Sequence, residues 1–163
     1  ALAVTHVLVT IVILDLIRHY FIGTKKFPRY LVVIGGIAGL APDIDIPLSW
    51  LLTAITGTPY HLHGKFTHSL FFVLVFLLIG ILRQYQKDKT GAAIFYVIAA
   101  GWFIHLPLDC LFGGGKSFLW PLPITLSFCP AWITDLYAMG IDAVLLVFWL
   151  VHEEVHKKIK DYF

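Results

Sequence analysis

Charged side chains are scarce in this chain. They make up 13% of its 163 residues, against about 25% in ordinary soluble domains. Hydrophobic residues reach 59% and mean hydropathy is +0.84; a soluble core of this length cannot hide so much apolar surface. Cysteine is nearly absent. Cys110 and Cys129 make neither a CxxC pair nor a disulfide framework, and without Cys ligands a structural zinc knuckle is excluded. The first apolar stretch has no basic n-region and no small-residue cleavage site, so no cleavable signal is expected. Repeats and low-complexity segments are also missing. The length allows one domain, residues 1–163, and no separate soluble module.

What remains is a series of apolar runs. About 20 apolar residues span a bilayer as a helix. The first run, residues 2–22, is interrupted only by Asp15 and Arg18, spaced to pair at i,i+3. A polar loop at 23–29 leads to a short run, 30–41, which stops at Pro42 in Ala41-Pro42-Asp43-Ile44-Asp45. Residues 46–60, with Pro47 and Pro59, read as an interfacial helix and loop. Further runs cover 67–82, 92–112 and 136–151, with a Gly- and Pro-rich loop at 113–134. The expected fold is an all-α polytopic transmembrane bundle of four long spans plus one short span.

Basic residues orient it, because positively charged loops stay cytoplasmic. Five crossings put Arg18, Lys25, Lys26, Arg29, Arg83, Lys87, Lys89, Lys157, Lys158 and Lys160 on one side, and only Lys65 and Lys116 on the other. Without the short run as a crossing, the basic loops would fall on opposite sides. The amino terminus is therefore expected outside and the carboxyl terminus in the cytoplasm.

The side chains able to bind metal then fall on the outer side. His6 starts the first span, Asp43 and Asp45 follow the second, His63 and His68 precede the third, and His105 and Asp109 end the fourth. Taken singly, each has an ordinary reading: an intramembrane His need only bond a neighbouring helix, and Asp43 and Asp45 beside Pro42 suit a turn. Together they converge. His105 and Asp109, one helical turn apart, share a face, and a carboxylate near a helix C-terminus is disfavoured unless a cation is near. Thr67 reads as an N-cap that places His68 in a first turn, where the helix dipole favours a neutral imidazole. His61 reads as a solvated loop residue, and His19, His152 and His156 as interfacial. Asp142 fits either a supporting acid or an interhelical hydrogen bond.

In order, Thr5-His6, Leu40-Ala41-Pro42-Asp43-Ile44-Asp45-Ile46-Pro47-Leu48-Ser49, His63-Gly64-Lys65-Phe66-Thr67-His68-Ser69-Leu70, His105-Leu106-Pro107-Leu108-Asp109 and Leu119-Trp120-Pro121-Leu122 resemble the YdjM family. That family is described as LexA-binding, inner-membrane-associated metal-dependent hydrolases. The resemblance implies metal-site roles for His6, Asp43, Asp45, His63, His68, His105 and Asp109. LexA binding would need a cytoplasmic surface. More distantly, the motifs are similar to those of zinc-dependent phospholipases C and nucleases. One departure stands out: the family usually has His-Arg-Gly where this chain has His63-Gly64-Lys65.

The expectation is a membrane hydrolase in which metal-activated water attacks a phosphoester of a lipid or small molecule. Mixed His and Asp ligands suit zinc, manganese or iron, and seven candidates exceed one tetrahedral site, so two ions are expected. Asp45 is the expected acid–base group, and Lys65 or Lys116 would hold phosphate as a point charge. No Ser-His-Asp arrangement or activated Cys competes as nucleophile. Membrane lipids are the expected partners, and nucleic acid is not. A metal or proton transporter is the first alternative, but the ligands gather at one end and the inner half of each span is nearly uncharged apart from Asp15. A regulatory membrane protein keeping a metal site is the second.

Overall fold

The computed structural model describes residues 3–112, 117–124, 129–130 and 132–157, and all regular structure among them is helical. Helix α1 (Ala3–Ile17) runs on through a π-helical turn, Arg18–Ile22, and stops at Gly23. Helix α2 (Arg29–Leu40) passes through a 3-10 turn, Ala41–Ile44, into α3 (Asp45–Thr56). A second 3-10 turn, Phe66–His68, precedes α4 (Leu70–Tyr85). Helices α5 (Lys89–Leu111) and α6 (Asp135–Lys157) follow.

Among the described residues, three helical runs are long and apolar enough to cross a membrane: Ala3–Ile22, Arg29–Thr56 and Lys89–Leu111, with Leu70–Tyr85 a shorter apolar helix. The expected set of four long spans and one short is therefore corrected. Residues 30–41 are not a short span but the first part of a 28-residue helical run. Pro42 does not end that run, because it sits at the start of the 3-10 turn, where a missing N–H costs little. The short element is instead α4, since Ser69, in extended conformation, precedes it and Thr67 does not cap it. Helix α5 starts earlier than expected, at Lys89, because the Asp88 carboxylate accepts the Gly91 N–H at 2.8 Å. Helix α6 continues past Val151 to Lys157, which places His152, Glu153 and His156 on a helix.

Burial is inverted relative to a soluble bundle. His6, Thr10, Asp15, Asp45, His68, His105 and Asp109 are buried, while Val33, Ile37, Leu74, Leu78, Phe103, Val144 and Val147 face outward. A bilayer solvates such aliphatic faces, and polar groups turn inward to find partners. Asp15 and Arg18 pair as expected, at 3.3 Å.

Helix α2 packs against both α1 and α5, α4 packs on α5, and α6 packs on α1. Glycines set the closest approaches. A Cβ added at Gly39 would strike Thr10, and one at Gly101 would strike the Gly35 carbonyl and the Gly39 nitrogen. Small residues at such crossings let helix backbones come together where lipid gives no hydrophobic driving force. Trp102 holds the loop before α4, donating its indole N–H to the Thr67 carbonyl at 2.8 Å.

The two cysteines, in which the sequence shows no disulfide framework, are nevertheless joined. Cys110 and Cys129 form a disulfide, with Cα atoms 4.7 Å apart. They lie 19 residues apart, and only the return of the chain after α5 brings them together. Lys116, Lys158, Lys160 and the glycines at 113–115 lie outside the described residues.

Candidate metal centre

All seven candidate His and Asp residues meet at one end of the bundle, delivered by separate elements. Helix α1 brings His6, the first 3-10 turn Asp43, α3 Asp45, the following loop His63, the second 3-10 turn His68, and α5 both His105 and Asp109. Asp43, His68, His105 and Asp109 each offer a ligand atom, all within 4.8 Å of one another. His68 Nε2 lies 3.2 Å from Asp109 Oδ2 and 3.4 Å from Asp43 Oδ1. His105 Nε2 is 3.6 Å from the same two oxygens. His6 stacks on His105, ring centroids 3.8 Å apart, with its Nε2 3.2 Å from Asp109 Oδ1. Asp45, His63 and His68 form a second, adjoining group.

Hydrogen bonds behind the cluster fix the ring orientations. The carbonyl of Gly39, 2.7 Å from His105 Nδ1, can only accept, so Nδ1 carries the proton and the Nε2 lone pair faces the cluster. The Thr67 hydroxyl donates to Asp45 Oδ2 at 2.8 Å and accepts from His68 Nδ1 at 3.0 Å, with Asp45 Oδ2 also 3.2 Å from that nitrogen. The Gly64 N–H donates to the same oxygen at 3.3 Å, and His63 Nδ1 lies 3.2 Å from Asp45 Oδ1. Gly64 has a φ of 77°, which glycine adopts without strain. The glycine displaced in His63-Gly64-Lys65 therefore serves the turn that hands its N–H to Asp45.

The residues fit a cation. His6 Nε2, His68 Nε2, His105 Nε2 and Asp43 Oδ1 are buried without a hydrogen-bond partner. These nitrogens lie within ion-pair distance, 3.2–3.6 Å, of the Asp43 and Asp109 carboxylates. Each orphaned buried group costs about 1–3 kcal/mol, and Asp43, His68 and His105, which belong to one group of close ligand atoms, share a remedy in a positive ion. The donors are nitrogen and oxygen, a set suited to zinc, manganese or iron.

The charge on His68 differs from expectation. No helix end governs it, since the residue lies ahead of α4. Burial works against the imidazolium, but the carboxylates of Asp109, Asp43 and Asp45 outweigh it and push the pKa up to about 10. The cluster thus attracts positive charge to its centre.

Access is one-sided. The side chains of His6, His68 and His105 are 0% exposed and that of Asp109 1%, against 12% for Asp43 and 43% for His63. An apolar groove of about 500 Å³, lined by Ala3, Ile37, Leu40, Ile44 and Pro47, reaches Asp43. A second groove, about 610 Å³, runs past Ser49, Thr53, Tyr60 and His61 to His63. Lys65 and His61 are exposed in the loop.

Asp142 accepts a hydrogen bond from the Thr5 hydroxyl at 3.1 Å, the interhelical alternative. His19 and His152, read as interfacial, join a further cluster with Asp15 and Glu153 at the opposite end of α1. The Asp15/His19 and His152/His156 spacings, one helical turn each, were the signal available for it. The end of the bundle opposite the seven-residue cluster is accordingly richer in ionisable groups than Asp15 alone.

Fold and site define a polytopic helical membrane protein with a buried His/Asp cluster. Among protein families, the model of the YdjM inner membrane protein family matches residues 2–158. The chain belongs to that family. Neither the curated proteins nor the solved structures gave a match.

Proposed function

We propose that this protein is a membrane-embedded hydrolase that opens a phosphoester bond with one divalent transition ion, zinc in the first place, held by Asp43, His68, His105 and Asp109. The observation that carries this reading is the convergence of buried, unpartnered imidazole nitrogens and a carboxylate oxygen. When bound, such an ion supplies a Lewis acid and lowers the pKa of water to about 7. The protein's own residues do the rest. Gly39 and Asp45 orient His105 and His68, and His6 steadies Asp109 through its second oxygen. One ion replaces the two expected from the sequence, because the adjoining group shares His68 and the Asp45 oxygens already receive Thr67, Gly64 and His63. Asp45 is therefore a positioning residue here rather than the acid–base group.

A lipid substrate suits the surroundings. The apolar groove beside Asp43 offers room for an acyl chain, and the exposed Lys65 offers a charge to a phosphate. Two independent features favour an outward-facing centre: the bias of basic residues toward the other side, and the Cys110–Cys129 disulfide next to Asp109, since disulfides persist in oxidising compartments. Transport gains one supporting observation, the second cluster at the other end of α1. Between His6 and Asp15, however, Thr10 is the one buried polar side chain of that helix.

The test is hydrolysis by detergent-purified, zinc-loaded protein of a panel of activated phosphodiesters, phosphomonoesters, phospholipids and lipid pyrophosphates. Cleavage that a chelator abolishes and zinc restores is expected, and His105→Ala should remove it. Fully metallated, folded protein that cleaves none of them would eliminate the hydrolase reading.

A further inference from the structure

We propose that Asp15, His19, His152 and Glu153 form a second metal site, for a divalent transition ion of the zinc type, which clamps α6 onto α1. It is separate from the outer centre: His6 and Asp15 lie about 14 Å apart along α1 at ~1.5 Å per residue.

The four residues each offer a ligand atom within 4.8 Å of the others. Two come from α1 and its π-helical continuation, two from α6. Asp15, His152 and Glu153 are 3%, 8% and 4% exposed. Two atoms of these residues, Asp15 Oδ2 and His152 Nε2, are buried without a hydrogen-bond partner, and it is His152 Nδ1 that lies 3.4 Å from that Asp15 oxygen. The ring of His19 is held for ligation: its Nδ1 faces the Asp15 carbonyl at 2.9 Å, which can only accept, so Nε2 presents a lone pair. His156 is held the same way by the His152 carbonyl, at 2.9 Å, and its ring lies 4.3 Å from that of His152.

Arginines account for part of this charge but not for the centre. Arg18 contacts Asp15 Oδ1 at 3.3 Å and also lies 3.4 Å from His19 Nε2, a long contact that an ion would displace. Arg29 pairs with Glu153 Oε2 at 3.0 Å. The second Asp15 oxygen, which neither arginine contact reaches, and His152 Nε2 remain buried without a hydrogen-bond partner. Two imidazoles and two carboxylates complete a four-coordinate site without sulfur.

Zinc and Co(II) titrations of the full chain in detergent decide the matter. The Asp109→Asn protein, which leaves this cluster intact, should still bind one equivalent with a Co(II) visible spectrum of mixed nitrogen and oxygen ligation. Adding His152→Gln, or separately His19→Gln, should remove that equivalent. In the wild-type background the same changes should lower the stoichiometry from two to one. Asp109→Asn protein that is folded and binds no ion would overturn the proposal. So would an unchanged stoichiometry in both histidine variants, which would leave an ion-pair network alone. Failure of the outer centre reads differently: Asp109→Asn would then leave metal content unaltered while His152→Gln still reduced it.

Discussion

Gly101→Ala touches no proposed ligand, yet it should weaken the metal centre. Gly101 lies one helical turn before His105 on α5. Its new Cβ would press on the Gly35 carbonyl and come within 2.9 Å of the Gly39 nitrogen and 3.0 Å of Ala38 Cβ. Ordinary contact begins near 3.4 Å, so α2 must retreat by about half an ångström or more, because backbone atoms cannot rotate aside. The 2.7 Å bond from His105 to the Gly39 carbonyl crosses the same interface. Overpacking costs about 1–3 kcal/mol and loss of that bond about 1 kcal/mol more. The sum corresponds to a Tm lower by roughly 5–15 °C. Loss of the orienting bond should cut metal affinity about 10–100-fold. Thermal unfolding in detergent and a zinc competition titration measure the two effects. Gly140→Ala is the control, since a Cβ there meets nothing within 4 Å. An unchanged Tm would refute the close helix approach, and a lowered Tm with unchanged affinity would refute the coupling to His105.

Three further outcomes are expected. Asp45→Asn should slow hydrolysis about 10–100-fold while saturating zinc still fills the centre, because the change removes the charge that orients His68; parallel activity and elemental measurements check it. Zinc affinity should rise with pH across the neutral range, by about tenfold per unit. Below a His68 pKa of about 10 the ion must displace a proton, so acid favours the proton; a flat affinity between about pH 6 and 8 in competition titrations would contradict that account. A cysteine at Tyr60 should react with an impermeant thiol reagent on intact cells and one at Tyr85 should not. Cys110 and Cys129 stay silent while their disulfide is intact, and the reverse labelling would place the centre on the cytoplasmic side.

The sequence by itself determined that this is a membrane bundle, because scarce charge and repeated apolar runs leave a chain of this length no aqueous alternative. It also singled out the residues that gather at one end, His6, Asp43, Asp45, His63, His68, His105 and Asp109, although Asp43 and Asp45 lie within a continuous helical run and not at the span end that hydropathy suggested. Helix boundaries near proline and threonine were less legible. Pro42 and Thr67 each permit two local readings, and the choice depended on the 3-10 turn and on the distant partner Asp45. Only tertiary structure decided that Asp45 stands behind His68, that Gly39 fixes His105, that Cys110 meets Cys129, and that α6 carries His152 and Glu153 to Asp15. Each of these joins residues far apart along the chain. Periodicity fixes which face of a helix is polar, but which polar faces meet depends on how closely the helices pack, and here glycines with no side chain set that distance.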